Sequence, residues 1–69
     1  MINVWDYQEA KKIRLIDVDG EEFIGYVVDV TDAEEGADEP YPEDAITISI
    51  AGSHIEFMQS KIIFIEILE

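Results

Sequence analysis

Sixty-nine residues with no cysteine and a formal net charge of −13 set the first limits. A chain of that length makes one domain and buries only about 60% of its unfolded surface, and without thiols neither disulfides nor zinc–thiolate sites can staple it. Seventeen Asp and Glu against four Lys and Arg argue against nucleic acid as a partner, because affinity for phosphates comes mostly from cations that displace counterions. The acidic field reads first as a solvated surface and second as an attraction for a basic protein partner. The cysteine-free composition suits a reducing cytoplasm. The start, MINVWDYQEAKK, carries charges where a signal peptide needs an apolar stretch, and the run Ile62 to Ile65 is far too short to cross a bilayer. A soluble cytoplasmic protein with no membrane segment is the expectation.

In chain order, Asp6 and Glu9 have capping-box spacing, with Trp5 placed as a hydrophobic staple. This predicts one or two helical turns ending near Lys11. From Lys12 the period becomes two. Asp19-Gly20 between two apolar alternations predicts a hairpin with a two-residue type I′ turn. That turn pairs Val18 with Glu21, Ile16 with Phe23, Leu15 with Ile24 and Ile13 with Tyr26. One face then collects Ile13, Leu15, Ile24, Tyr26 and Val28. The other collects Ile16, Val18, Phe23, Val27 and the bare position Gly25. Two apolar faces predict a bent strand, each face covered along part of its length, with the bend at Gly25.

Asp29 to Asp44, half acidic and punctuated by Gly36, Pro40 and Pro42, predicts a mobile acidic loop centred on 31–44. Within it, Tyr41 is either an anchor or an exposed contact. Ala45 to Ala51 alternates, with Ile46, Ile48 and Ile50 inward. Gly52-Ser53 turns the chain into a strand from His54 to Met58, with Ile55 and Phe57 on one face. After an interruption at Gln59-Ser60 the last strand runs from Ile62 to Leu68. It is apolar on both faces, a hazard at a free edge, and is expected to be covered by another copy of the protein. The sum is an all-β chain: residues 1–69 as a single domain, a five-stranded, strongly bent antiparallel small barrel of SH3-like type, with an optional short N-terminal helix.

The wording of the hairpin narrows this. Asp19-Gly20-Glu21-Glu22-Phe23-Ile24-Gly25 resembles the Asp-Gly-x-x-apolar-x-Gly of the first motif of Sm-like (LSm and Hfq-type) proteins, and Val27 and Val30 fall where that motif places apolar residues. The resemblance covers about nineteen residues and implies an Sm-like barrel that self-associates through the edges of strands four and five. The family's RNA-contacting Asp-x-x-apolar-Asn would fall on Thr31 to Glu35, with a carboxylate at Glu35 in place of the amide. Its Arg-Gly step would fall near Gln59-Ser60, where there is no arginine. RNA binding is therefore not carried over.

Catalytic chemistry has little to build on. His54 is the only histidine, and Ser53 beside it makes a poor nucleophile–base pair, since adjacent residues in a strand point apart. There is no phosphate-cradling glycine loop, and a two-histidine metal site is impossible. Asp32, Glu34, Glu35, Asp38 and Glu39 crowd one loop, but Asp32, Glu34 and Gly36 follow EF-hand spacing only in part, which predicts weak, salt-like cation binding. Asp17-Val18-Asp19-Gly20 echoes such loops and is better explained by the hairpin. No catalytic, cofactor-binding or metal residue is assigned, and no cofactor is expected. The leading expectation is a non-enzymatic interaction module that self-associates through its last strands. The alternatives are an Sm-like RNA-binding protein and an acidic mimic of nucleic acid that inhibits a basic protein.

Overall fold

Alternating apolar residues become five strands in the computed structural model, which describes residues 2–33 and 43–69. The strands are β1 Lys12–Asp17, β2 Glu22–Thr31, β3 Ala45–Ile50, β4 Ser53–Met58 and β5 Ile62–Ile67. They form one antiparallel sheet in the order β4-β3-β2-β1-β5, so the chain is all-β as expected. Short 3-10 turns at Val4–Tyr7 and Gln59–Lys61 precede β1 and join β4 to β5. Among the described residues no helix is long and apolar enough to cross a membrane.

β2 serves two neighbours in succession. Its first half, Glu22 to Tyr26, pairs with β1, and its second half, from Tyr26 to Thr31, pairs with β3. Gly25 lies where the two halves meet. A Cβ there would stand 2.5 Å from the Ser49 carbonyl oxygen and 2.8 Å from Ile50 Cγ1, so only glycine lets the end of β3 approach. A bulge that leaves Val28 unmatched, between Val27 and Asp29, adds local twist. The sheet curls as a result: Phe23 at the start of β2 meets Phe57 of β4, with ring centroids 4.9 Å apart and planes tilted by 58°. Ile13 and Leu15 of β1, Ile46 and Ile48 of β3, and Val4 from the N-terminal turn are fully buried inside the curl. Val30, Phe57, Ile62 and Ile65 complete that core.

The β1–β2 hairpin differs from expectation by one residue. Leu15 faces Phe23 and Ile13 faces Gly25, rather than Ile24 and Tyr26. The turn is not type I′: Gly20 has positive φ (83°), but Asp19 does not. Instead, the Gly20 N–H donates to the Asp17 carbonyl (2.9 Å), and the Asp17 N–H donates to the Glu21 carbonyl (3.0 Å). This is a three-residue loop, a tight turn followed by a left-handed glycine. The Asp17 side chain decides it, since Oδ1 accepts from the Asp19 and Glu21 N–H groups, both at 2.9 Å. Because side chains alternate, the slip of one residue moves Ile24, Tyr26 and Val28 to the outer face. The type I′ turn occurs at the other hairpin, where Ala51 (φ 51°) and Gly52 (φ 85°) connect Ile50 to Ser53, paired as neighbours.

Other boundaries also move. Asn3, not Asp6, caps the N-terminal turn, its side chain accepting from the Trp5 N–H at 3.1 Å, and the helix is a single 3-10 turn. Asp29 to Thr31 belong to β2 rather than to the acidic loop. The last strand ends at Ile67. Tyr41 and the carboxylates Glu34, Glu35, Asp38 and Glu39 lie outside the described residues.

Two substitutions test this account. An L-residue in the left-handed region costs roughly 1–2 kcal/mol, and asparagine tolerates it better than alanine. Ala51→Asn is expected to raise stability by about 0.5–1 kcal/mol, read as a higher urea midpoint at unchanged slope. Gly25→Ala forces backbone against backbone and is expected to cost at least 1–3 kcal/mol, roughly the range for overpacking, seen as a large drop in the thermal midpoint by circular dichroism.

Candidate interaction surface

The outer side of β1, β2 and β5 carries side chains that a lone chain leaves uncovered. Ile24, Tyr26 and Val28 of β2 are 43%, 54% and 46% exposed, and Phe64 of β5 is 39% exposed. Val18, Ile63, Ile67 and Leu68 at the ends of the same strands are also exposed. No exposed large hydrophobic side chain comes from β3 or β4. The apolar surface is thus confined to one half of the sheet, and the expectation that each face of the bent strand is covered along part of its length is corrected: Ile24, Tyr26 and Val28 stay exposed.

Charges on this face are paired. Arg14, mid-strand in β1, donates from Nη1 to Glu22 Oε2 on β2 (2.7 Å) and from Nε to Glu66 Oε1 on β5 (3.3 Å). Hydrogen bonding to Glu22, then to Glu66, raises the guanidinium pKa above its ordinary value. The sign follows from linkage. A raised cation pKa contributes stability at all pH values below its unfolded value and loses it only above, so Arg14 adds no pH dependence near neutrality. Its Cζ sits 5.1 Å from the centre of the Phe64 ring, and Lys12 Nζ sits 5.6 Å from that of Tyr26. Lys12 also reaches Glu69 Oε2 at 3.7 Å. These pairs are solvent-exposed and contribute little stability; their effect is to cancel charge.

The free edges of the sheet are β4 on one side and β5 on the other. β5 is bulged opposite Ile16 and Asp17, where Ile63 is unmatched. Ile62 and Ile65 are therefore buried three positions apart, whereas Ile63 and Phe64 face out.

A second cluster joins the base of the acidic segment to both 3-10 turns. Asp44 Oδ1 accepts from the Ala33 N–H at 2.9 Å and Oδ2 from Trp5 Nε1 at 3.1 Å. Glu43 holds Ser60 by its N–H at 2.6 Å and its hydroxyl at 2.9 Å. Gln59 Oε1 accepts from the Val4 N–H at 3.0 Å. These carboxylates are structural fasteners. The position near the expected Arg-Gly step is thus occupied by Gln59 and Ser60, both bonded within the chain.

Ser53 and His54 open β4 and are exposed, opposite Ile50 and Ser49. Among the described residues no group of three or more His, Cys, Asp or Glu side chains is placed to hold a metal ion. Asp32 is the only member of the five-carboxylate cluster among them. A two-residue turn places these residues on the opposite side of the hairpin; the Asp17 side chain, accepting two N–H groups at the turn, is the signal in the sequence that turns them outward.

Comparison with protein-family models, curated proteins and solved structures gives no match to this chain.

Removing the fastener tests its role. Asp44→Ala leaves the Ala33 N–H and the Trp5 indole N–H without their acceptor and is expected to cost about 1–3 kcal/mol, measured as a lower urea midpoint.

Proposed function

We propose that this chain is a non-enzymatic, acidic, cytoplasmic interaction module with an Sm-like barrel fold that self-associates through the edges of β4 and β5. One observation carries the reading. β4 and β5, adjacent in sequence, are the two outer strands of the sheet, and each is six residues long. An edge strand presents a row of unpaired N–H and C=O groups that another strand can satisfy. Joining β4 of one copy to β5 of the next is a head-to-tail contact, which gives a ring where the rotation closes and a filament where it does not. The bent β2 and the short turn between β4 and β5 support the Sm-like fold.

The net charge of −13 favours a second reading, an acidic decoy occupying the basic groove of a nucleic-acid-binding protein. Its mark is co-purification with such a protein that is lost at high salt. RNA binding is the third reading; tight gel shifts with uridine-rich or adenine-rich RNA at low salt support it and count against the charge argument.

For the leading reading, sedimentation of the full chain at micromolar concentration is expected to give a mass above 7.9 kDa. Proline is tolerated at bulges and on edge strands but cannot donate a backbone hydrogen bond. Ile63→Pro, at the β5 bulge, is expected to lower the assembled mass while leaving the far-ultraviolet spectrum unchanged. A wild-type chain found only at 7.9 kDa removes self-association.

A further inference from the structure

We propose that the outer face of β1, β2 and β5 is a second contact, distinct from the strand edges, at which two copies of this chain meet face to face. Four large apolar side chains, Ile24, Tyr26, Val28 and Phe64, stand out from it at 39–54% exposure.

Charge selects the occupant. Around this face the chain is strongly acidic, with a net charge of −13. On the face itself Arg14 is matched by Glu22 and Glu66, and Lys12 by Glu69. Two cations against three anions leave that cluster at a formal −1, a small part of the chain's −13. A face-to-face contact elsewhere on so acidic a chain sets more carboxylates against one another, and like charges opposite one another are costly. Brought together here, two copies lay an apolar surface whose charges are largely paired on another of the same kind. A basic partner, by contrast, is drawn to the acidic remainder of the surface, where its charge is answered, and gains little from a face whose carboxylates already hold cations. The same patch on both copies makes a two-fold contact, which closes at two. Aromatic side chains with cations seated on them, as Phe64 and Tyr26 have here, suit the middle of such an interface.

The test separates face from edge. Sedimentation equilibrium is run on the full chain carrying Ile63→Pro, whose edge contact is blocked, up to about 100 μM and at roughly 50 mM and 500 mM salt; His54→Pro, on the other free edge, β4, replaces it if that variant does not fold. The expected result is an association that stops at twice 7.9 kDa and persists at both salt concentrations. Adding Ile24→Lys, or the pair Ile24→Thr and Val28→Thr, is expected to raise the dissociation constant about tenfold or more. Threonine keeps strand propensity, so this pair reads the contact without unfolding the sheet, as circular dichroism checks. A folded Ile63→Pro or His54→Pro chain that stays monomeric at the highest concentration overturns the proposal. So does a dimer whose affinity is unchanged by both face variants. If Ile63→Pro leaves the wild-type mass distribution untouched while the face variants dissociate it, the edge reading fails and the face contact stands.

Discussion

The fold depends on how closely the backbone of β3 approaches β2 at Gly25. A side chain at that point would collide with the Ser49 carbonyl, and the sheet could not turn there. Because it turns, a single ten-residue strand serves β1 along its first half and β3 along its second. Phe23 then reaches Phe57, two strands away in the sheet. A short chain has few ways to enclose a core. Bending one long strand lets the inner faces of β1 and β3 bury Ile13, Leu15, Ile46 and Ile48 in one core with no second sheet or α-helix among the described residues.

The acidic residues divide by task. Asp17, Glu43 and Asp44 accept backbone and side-chain hydrogen bonds that shape a turn and fasten the ends of β3 and β4. Glu22 and Glu66 neutralise Arg14. A carboxylate accepting N–H groups in a turn is as much a local structural element as a source of field. The net charge therefore overstates how much of this acidity acts on other molecules.

Strand number and the bend at Gly25 were legible in the residues because alternation and a bare glycine report directly on burial and backbone approach. The hairpin register was not. An Asp-Gly step fits both a two-residue and a three-residue turn, and the choice rests on Asp17, two positions upstream, whose carboxylate captures two N–H groups. The same shift hid the exposed apolar face, since a change of one residue exchanges inside for outside. The bulge in β5 was hidden for a related reason: IIFIEI is apolar almost throughout, so its sequence does not mark which isoleucine is left out of register. Asn3 as the cap is obscured in the sequence by the Asp6-x-x-Glu9 spacing that follows it. The fastening by Asp44 and Glu43 joins segments far apart in sequence and leaves no local pattern.

The chain's one tryptophan sits at that fastening, its indole bonded to Asp44 where the N-terminal turn meets the start of β3. Its emission therefore monitors whether the N-terminus is seated on the sheet. Tyr26, on the outer face, lies away from that junction, whereas Tyr7 shares the N-terminal turn with Trp5. With Tyr7 and Tyr41 replaced by phenylalanine, solvent-perturbation of tyrosine absorbance reports the outer face. Two optical signals from the chain's own side chains thus separate loosening of its end from occupation of its exposed side, with no label attached.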